Sequence, residues 1–418
     1  MGIEFGEPIP MKPNTQYQKK TSARKQNRSL TQKFAGFLAK TGLLKPMRCI
    51  NVWHKREKKD KGASFLLAFL FAKIWRTGSA YAANMNIVPK NVRHRFGVQR
   101  FAPKSTFYDE IPCINNASLE AFNDKLVEQA TAKLKRIIVM LDGHAIGVWS
   151  KKYAGAAWGA TSSEHKFFGY KLLATIIAGL DVVAKHLLVS GNNSATPFAR
   201  ELVEQTLAIT HRIDVLLMDR EFTDFAFWAY LIEKNVGFII PAKDDNAVIK
   251  TLRRTLDTKL FRRLDDNTEY YESLAFFSDL RKNLRVIFIK KKIVEGNKEK
   301  IKEYELITNL GPEYSTIEVI NLYPVRQGRE DVFDRVKNEF DLHKPCKIKN
   351  IAGIKAFVAL TLTAYNLYTL FSHHIFGCYK TIVVLFRAWL FEGLLTSEKT
   401  LPDKQANLTP AKMALVTG

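Results

Sequence analysis

The sequence predicts a mixed α/β fold in which helices flank a sheet, and three patterns carry this prediction. Short β-branched and Leu-rich runs alternate with helix-period segments over residues 118–242. Short apolar runs separated by charged turns follow over residues 243–320 and indicate antiparallel strands. After residue 320 apolar side chains recur at the period of an α-helix, so the chain is expected to end in helices.

Length and composition are those of a globular protein with more than one domain. The 418 residues predict two or three domains, and 46% of them are apolar while 25% are charged. The N-terminus is polar and basic without the apolar stretch of a signal peptide. The four cysteines are scattered, with no C-x-x-C pair, which argues against a disulfide framework and against a zinc ribbon.

The chain is strongly basic, with a formal net charge of +23. Residues 1–61 hold 15 Lys or Arg against 4 Asp or Glu, so nearly half of the excess lies in the first seventh of the chain. A globular protein this basic is expected to bind a polyanion, and nucleic acid is the most common one. Ribosomal, chromatin and membrane-surface proteins share the trait, so charge predicts a class of partner and no reaction.

The N-terminal part is expected to be helical and to bind DNA. Residues 1–30 are polar, basic and rich in proline, as in a flexible arm. Residues 31–45 and 62–80 carry apolar side chains at helical spacing, with a basic run between them. We therefore predict a basic, mainly helical DNA-binding region over residues 1–117.

Two aspartates follow buried strands in the next part of the chain. Predicted strands cover residues 136–141, 152–190 (two or three strands), 213–218 and 236–242, and predicted helices cover residues 118–135, 197–210 and 224–235. Asp142 and Asp219 stand directly after the first and third of these strand regions. In open α/β sheets, ligand chemistry collects at the carboxyl ends of strands. One such Asp is often only a turn former or a helix cap, but two on neighbouring strands suggest a site.

A polar stripe marks the helix predicted to start at Tyr323, where Pro324 falls in the first turn. Tyr323, Arg326, Glu330 and Lys337 fall within an arc of about 60° on an α-helix. The apolar residues of the segment occupy a neighbouring arc that can pack on a core. A solvated face with i,i+4 ion pairs is the simpler interpretation of such a stripe.

The last long apolar segment is predicted to be a core helix. Residues 351–372 are apolar enough to approach a membrane span, which needs about 20 apolar residues. Lys355 and Asn366 interrupt the segment, and it stands alone, so burial in a soluble core is favoured. Residues 376–418 are expected to form a C-terminal helix and a loose tail.

Together the three carboxylates suggest phosphoryl transfer. Asp142, Asp219 and Glu330 could hold two divalent ions, and hard oxygen ligands select Mg²⁺ or Mn²⁺. The cations beside Glu330 would then grip DNA phosphates, and the phenol could bind a phosphate or stack on a base. We expect these DNA-binding roles for Tyr323, Arg326, Lys337 and Arg220.

The same residues resemble the DDE transposases of prokaryotic insertion sequences. The spacing of Tyr323, Arg326, Glu330 and Lys337 is similar to the YREK signature of the insertion-sequence family four-like branch. VMLDGH, with Asp142, resembles the family's first Asp block, and LLMDREF, with Asp219, resembles its second. The resemblance covers roughly residues 130–375.

The resemblance implies an RNase H-like mixed sheet, with core parts at residues 118–242 and 321–375 around a β-rich insertion at 243–320. It implies a metal-dependent enzyme that cleaves transposon ends and joins the freed 3′-hydroxyl to target DNA. Its partners would be double-stranded DNA and further copies of itself in a synaptic complex, with no membrane. A cytoplasmic, nucleoid-associated location follows as an expectation.

Two alternatives remain at this point. One is an RNase H-like DNA nuclease without strand transfer, and the other is a non-catalytic DNA-binding protein with a transposase core. Some relatives receive a flipped base on a tryptophan of the insertion, and residues 243–320 contain no tryptophan. The sequence therefore does not predict whether ends are cut through hairpins.

Overall fold

The structure is a computed structural model, and it describes residues 30–52, 61–74, 110–160, 166–295, 298–342, 348–382 and 384. Residues 1–29 of the predicted arm at residues 1–30, and most of the predicted C-terminal helix and tail, lie outside these residues. Within them, helices and strands alternate in the order that the sequence predicts. The mixed α/β class is thereby confirmed.

Ten strands of the described chain form one mixed sheet in the order β2-β3-β1-β5-β6-β10-β9-β8-β7, with β4 paired to β3. β1 runs parallel to β5, and β5 runs parallel to β6, whereas the other pairings are antiparallel. The strands are β1 (Ile138–Gly147), β2 (Ala157–Ala160), β3 (Lys166–Ile177), β4 (Val182–Ser190), β5 (Val215–Met218), β6 (Gly237–Pro241), β7 (Arg262–Asp265), β8 (Thr268–Phe277), β9 (Lys282–Glu295) and β10 (Lys298–Thr308).

Helices pack on both faces of this sheet. They are α1 (Leu30–Lys40), α2 (Leu44–Arg48), α3 (Lys61–Ile74), α4 (Asn116–Thr131), α5 (Thr196–Thr210), α6 (Phe225–Glu233), α7 (Ala247–Thr255), α8 (Thr316–Leu322), α9 (Gly328–Phe340) and α10 (Ile351–Phe376). Alternate residues of each central strand bury into opposite layers, as the two-residue period of a strand requires. Met140 and Leu217 join the layer that contains α9 and α10, and Leu141 and Met218 join the layer that contains α5 and α6.

The strands that the structure describes in the predicted β-rich insertion join the central sheet. Its strands β7–β10 continue the central sheet, because β10 pairs with β6 through Leu306 and Pro241. β9 and β10 then form a long antiparallel hairpin.

α10 is the centre of the helical layer. Its residues from Gly353 to Thr369 are buried except Lys355, although its length and apolarity alone would allow it to cross a membrane. Asn366 makes its hydrogen bonds inside the core. The predicted core helix is therefore present, and it extends to Phe376, where Gly377 ends it with a positive φ of 72°.

The N-terminal helices pack on α10 rather than apart from it. Phe34 of α1 lies edge-on to Phe371 at 4.8 Å between ring centroids, and Phe69 of α3 meets Phe357 at 5.9 Å. These helices share the core layer of α10. The DNA-binding role of residues 1–117 stays a prediction.

The prediction of an α-helix that starts at Tyr323 is wrong in one respect. Residues Tyr323–Gln327 form a 3-10 segment, which follows α8 directly, and the α-helix α9 begins only at Gly328. Pro324 has no N–H to donate and its ring crowds the preceding turn, so a regular α-helix is disfavoured there. The stripe is therefore split between two kinds of helix.

β1 also differs from the prediction. The strand expected to end before Asp142 continues to Gly147, because β3 pairs with it along its whole length from Val139 to Gly147. On its other side the pairing with β5 stops at Leu141 and Met218. Asp142 thus lies inside its own strand but at the point where the neighbouring strand ends.

Candidate active site

The sheet has a recessed edge at the carboxyl ends of its two shortest parallel strands. β5 and β6 end at Met218 and Pro241, whereas β1 continues on one side and the β9–β10 hairpin extends on the other. Strands lie about 4.8 Å apart, so the recess between β1 and β10 is about 14 Å wide between strand axes. Side chains at the base of this recess are screened on two sides by longer strands.

Asp142 and Asp219 occupy neighbouring positions at the base of the recess. The last two residues that pair between β1 and β5 are Leu141 and Met218, and Asp142 and Asp219 directly follow them. Both preceding residues bury into the layer of α5, so the next residue on each strand points to the layer of α9. Asp142 is buried, at 4% exposure, and Asp219 is half-buried. The structure therefore brings the two predicted aspartates to one face.

Both oxygens of the Asp219 carboxylate are engaged. Oδ1 accepts the backbone N–H of Arg220 at 2.7 Å, which caps the short 3-10 turn that follows β5. Oδ2 lies 2.7 Å from Nη2 of Arg326, and both side chains of this ion pair are largely shielded from solvent. The side chain of Arg220 itself is on an exposed residue. The orientation of Asp219 is thus fixed by groups on two separate elements.

Tyr323 and Arg326 act together, because residues three apart eclipse in a 3-10 segment. Nη1 of Arg326 donates to the phenol oxygen of Tyr323 at 3.2 Å. Burial raises the pKa of the Tyr323 phenol, and the guanidinium of Arg326 opposes that shift in part. The phenol therefore stays protonated at neutral pH, and it supports Arg326 against Asp219.

α9 packs on the aspartate face of β1 through an aromatic stack. The ring of Phe333 lies 4.9 Å from the ring of His144, with an angle of 13° between their planes. His144 is two residues from Asp142 and shares its face of β1. Phe333 thereby anchors α9 beside the aspartates.

Glu330 and Lys337 belong to this anchored helix and share one of its faces, since they are seven residues apart. Glu330 is exposed in the first turn of α9, and Lys337 is half-buried in its last turn. Among the residues that the structure describes, no three Asp, Glu, His or Cys side chains are gathered closely enough to hold a metal ion. The structure thus places Asp142 and Asp219 on one face of the sheet, and Glu330 lies on a neighbouring helix.

A further acid, Glu221, lies near these groups. A Cβ placed on Gly143 would come within 3.5 Å of its Oε1, so the carboxylate reaches the strand position beside Asp142. Loss of water around the carboxylate raises its pKa, and Lys171 lowers it in part, although the residue as a whole is exposed. In the sequence, the only indication that Glu221 belongs to this site is its position two residues after Asp219.

An open cleft of about 760 Å³ lies beyond the end of β1, and the sequence did not predict it. Its walls include Trp158, which is 62% exposed, together with Lys166 and Lys171. Its floor is formed by close backbone contacts, since a Cβ on Gly159 would lie 2.2 Å from the carbonyl oxygen of Gly191. The run YAGAAWGAT carried the signal, because glycines permit such close approach.

Comparison with known proteins agrees with this arrangement. A family model described as "Transposase DDE domain" matches residues 133–367, which is more than half of the chain. A cryo-EM structure of the piggyBac transposase synaptic complex with hairpin DNA has a similar fold, with a TM-score of 0.51 and 11% sequence identity. That similarity covers 93% of this chain and 87% of the other. A comparison with curated proteins gave no match.

The matched range contains both aspartates, the 3-10 segment and α9. Its limits agree with the resemblance over residues 130–375, and the similar structure confirms the RNase H-like mixed sheet. The YREK subgroup and the prokaryotic insertion-sequence type stay predictions. The chain belongs to the family of transposases that share the DDE domain.

Proposed function

We propose that this protein cleaves transposon ends and joins the 3′-hydroxyl to target DNA by two-metal phosphoryl transfer. The observation that carries the proposal is the placement of Asp142 and Asp219 on one face at the recessed edge of the sheet. Paired carboxylates at such an edge suit divalent ions and a phosphodiester.

Two of the three proposed metal ligands, Asp142 and Asp219, are placed as a metal site would require. Asp142 and Asp219 supply hard oxygen donors at adjacent strand positions, and Glu330 would complete the set from α9. Bound Mg²⁺ or Mn²⁺ would activate the attacking oxygen and stabilise the leaving oxygen. Two ions are proposed, and the ion pair with Arg326 presently neutralises Asp219.

The cations of this site would position DNA. Arg326 lies against Asp219 and is held by Tyr323, so its guanidinium is available at the scissile phosphate when Asp219 has another cation. Lys337, two turns after Glu330, would contact the backbone at the other side of the cleaved bond. Arg220 would add a contact at the rim. The partners would be transposon ends, target DNA and further copies of the protein.

The family membership favours a transposase over a nuclease that only hydrolyses DNA. A non-catalytic DNA-binding protein is the less favoured candidate, because all three proposed carboxylates are present. The subgroup with the YREK signature and a nucleoid-associated location are further parts of the proposal.

The test compares Glu330→Gln with Asp331→Asn on DNA that carries the ends of the element. Asp331 is the neighbouring exposed acid of α9, and its carboxylate lies 3.9 Å from Nη2 of Arg335. We expect Glu330→Gln to reduce Mg²⁺-dependent nicking by at least 100-fold, in line with loss of a ligand that stabilises developing charge. Asp331→Asn should cleave like the unmodified protein.

Undiminished nicking by Glu330→Gln would remove Glu330 from the metal site. Strand transfer is measured in the same reactions as joining of the labelled 3′ end to a plasmid. Cleavage without joined products would favour the nuclease, and absence of cleavage by the unmodified protein would favour the non-catalytic alternative.

A further inference from the structure

The β9–β10 hairpin extends past the edge of the sheet that carries the aspartates. β10 runs antiparallel to β6, and its pairing with β6 stops where Ala242 N–H donates to the carbonyl of Glu305. The part of β10 before Glu305, from Lys298 to Tyr304, therefore reaches about 24 Å beyond the end of β6. It leaves the sheet in the direction of the carboxyl ends of β1 and β5.

One face of this hairpin is continuous with the face that carries Asp142 and Asp219. Ile289 and Tyr304 are registered partners and belong to the layer of α9 and α10. Side chains alternate along a strand, so the next pair on the same face is Lys291 with Lys302, followed by Ile293 with Lys300. Sheet twist rotates the hairpin relative to β1 but does not exchange its faces.

The two faces of the hairpin differ in charge. On the face of the aspartates two lysines, Lys291 and Lys302, stand directly opposite each other, and both are exposed. Like charges in such positions repel and destabilise the pair. On the other face Lys290 is paired with Glu303, which is its registered partner, at 3.3 Å. Lys291 and Lys302 thus stand opposite each other on the aspartate face, whereas Lys290 on the other face has an acidic registered partner.

We propose that Lys291, Lys300 and Lys302 form a binding surface for the phosphate backbone of duplex DNA whose cleaved bond lies at the aspartates. This inference rests on the proposed function and names the surface that holds the DNA next to the site. The polyanion relieves the repulsion between Lys291 and Lys302, and the hairpin forms one wall of the recess. DNA that lies in the recess therefore passes along the lysine face.

An adjacent lysine supplies a matched control. Lys292 is exposed and carries the same charge as Lys291, but it points to the opposite face of the same strand. Both lysines contribute equally to the long-range attraction between protein and DNA. Only Lys291, on the face of the aspartates, would contact a phosphate directly. The variants are Lys291→Gln, Lys292→Gln and the triple variant K291Q/K300Q/K302Q.

The measurement is fluorescence anisotropy of a labelled DNA duplex of arbitrary sequence, titrated with full-length protein at several salt concentrations and without Mg²⁺. Each lost phosphate contact lowers the slope of log K against log salt by about 0.9. The triple variant should lose about 2.7 from the slope, so that raising salt from roughly 50 to 200 mM weakens its binding about 40-fold less than that of the unmodified protein. Lys291→Gln should lose about 0.9, and Lys292→Gln should keep the full slope.

Equal slopes for Lys291→Gln and Lys292→Gln would overturn the inference, as would an unchanged slope of the triple variant. Circular dichroism of each variant serves as the control for folding. The outcome is separable from that of the proposed function, because binding is measured without metal. If Lys291→Gln lost slope, Lys292→Gln did not, and the unmodified protein cut no DNA, the proposed enzymatic activity would be refuted and the DNA-binding surface would stand. If the protein cut DNA but both variants had equal slopes, the DNA-binding surface would be refuted and the proposed activity would stand.

Discussion

Replacing Asn366 by leucine tests how the core supports the sheet. The side chain of Asn366 is fully buried in α10 and bonds to an irregular point of β4. Its Oδ1 accepts the backbone N–H of Val183 at 2.9 Å, and its Nδ2 donates to the carbonyl of Val183 and to Oδ1 of Asn123, both at 2.7 Å. The register of β3 with β4 shifts here, between Thr175 and Ile176. Asn366 thus binds both polar backbone groups of a residue beside a bulge.

The magnitude follows from the groups that lose their partner. Leucine has the same branching and the same number of side-chain heavy atoms as asparagine, so Asn366→Leu leaves little cavity. It leaves the N–H of Val183 and Oδ1 of Asn123 without these partners in the core. The carbonyl of Val183 keeps a long contact of 3.4 Å from Nδ2 of Asn123. Each stranded buried group costs about 1–3 kcal/mol. With a partial offset from the apolar side chain, we expect a loss of about 3 kcal/mol in the free energy of unfolding.

The assay is urea unfolding, with Thr361→Val as the control. Thr361 is equally buried in α10, but its hydroxyl donates only to the carbonyl of Phe357 in the same helix, at 2.7 Å. Its loss strands no group of another element, and we expect less than about 1 kcal/mol. If Asn366→Leu cost no more than Thr361→Val, the account of the bulge would be refuted.

Two further predictions concern the site and the response to pH. Phe333→Ala removes the ring that stacks on His144 and should cost about 3–5 kcal/mol in urea unfolding, whereas a loss below about 1 kcal/mol would mean that α9 is anchored by other contacts. Burial, aided by Lys185, lowers the pKa of His186 from 6.5 to about 4. As the pH falls, the imidazole of the unfolded chain takes up a proton before that of the folded chain does. The contribution of neutral His186 to the free energy of unfolding is therefore fully present above pH 6.5 and is lost as the pH drops towards 4. Relative to His186→Gln, the protein should lose about 1–3 kcal/mol over that range, and parallel stability curves would contradict the assignment.

Much of the fold was accessible from the sequence because its signals are local. The runs RIIVML and IDVLLM predict buried strands, since β-branched and leucine side chains suit a sheet covered on both faces. Asp219 follows its strand as expected, and the apolar helix around Asn366 is in the core. Strand boundaries were less accessible, because β1 is prolonged by its partner β3 rather than by its own residues.

By itself, the sequence determined the class of the fold, the two aspartates, the spacing of the residues around Glu330 and the excess of positive charge. Only the tertiary structure decided that Asp142 and Asp219 share one face, that Arg326 pairs with Asp219, and that the hairpin lysines continue that face. The physical reason is that the period of a strand or helix is a property of neighbouring residues. Which strand pairs with which, and in what register, depends on contacts between residues far apart in the chain.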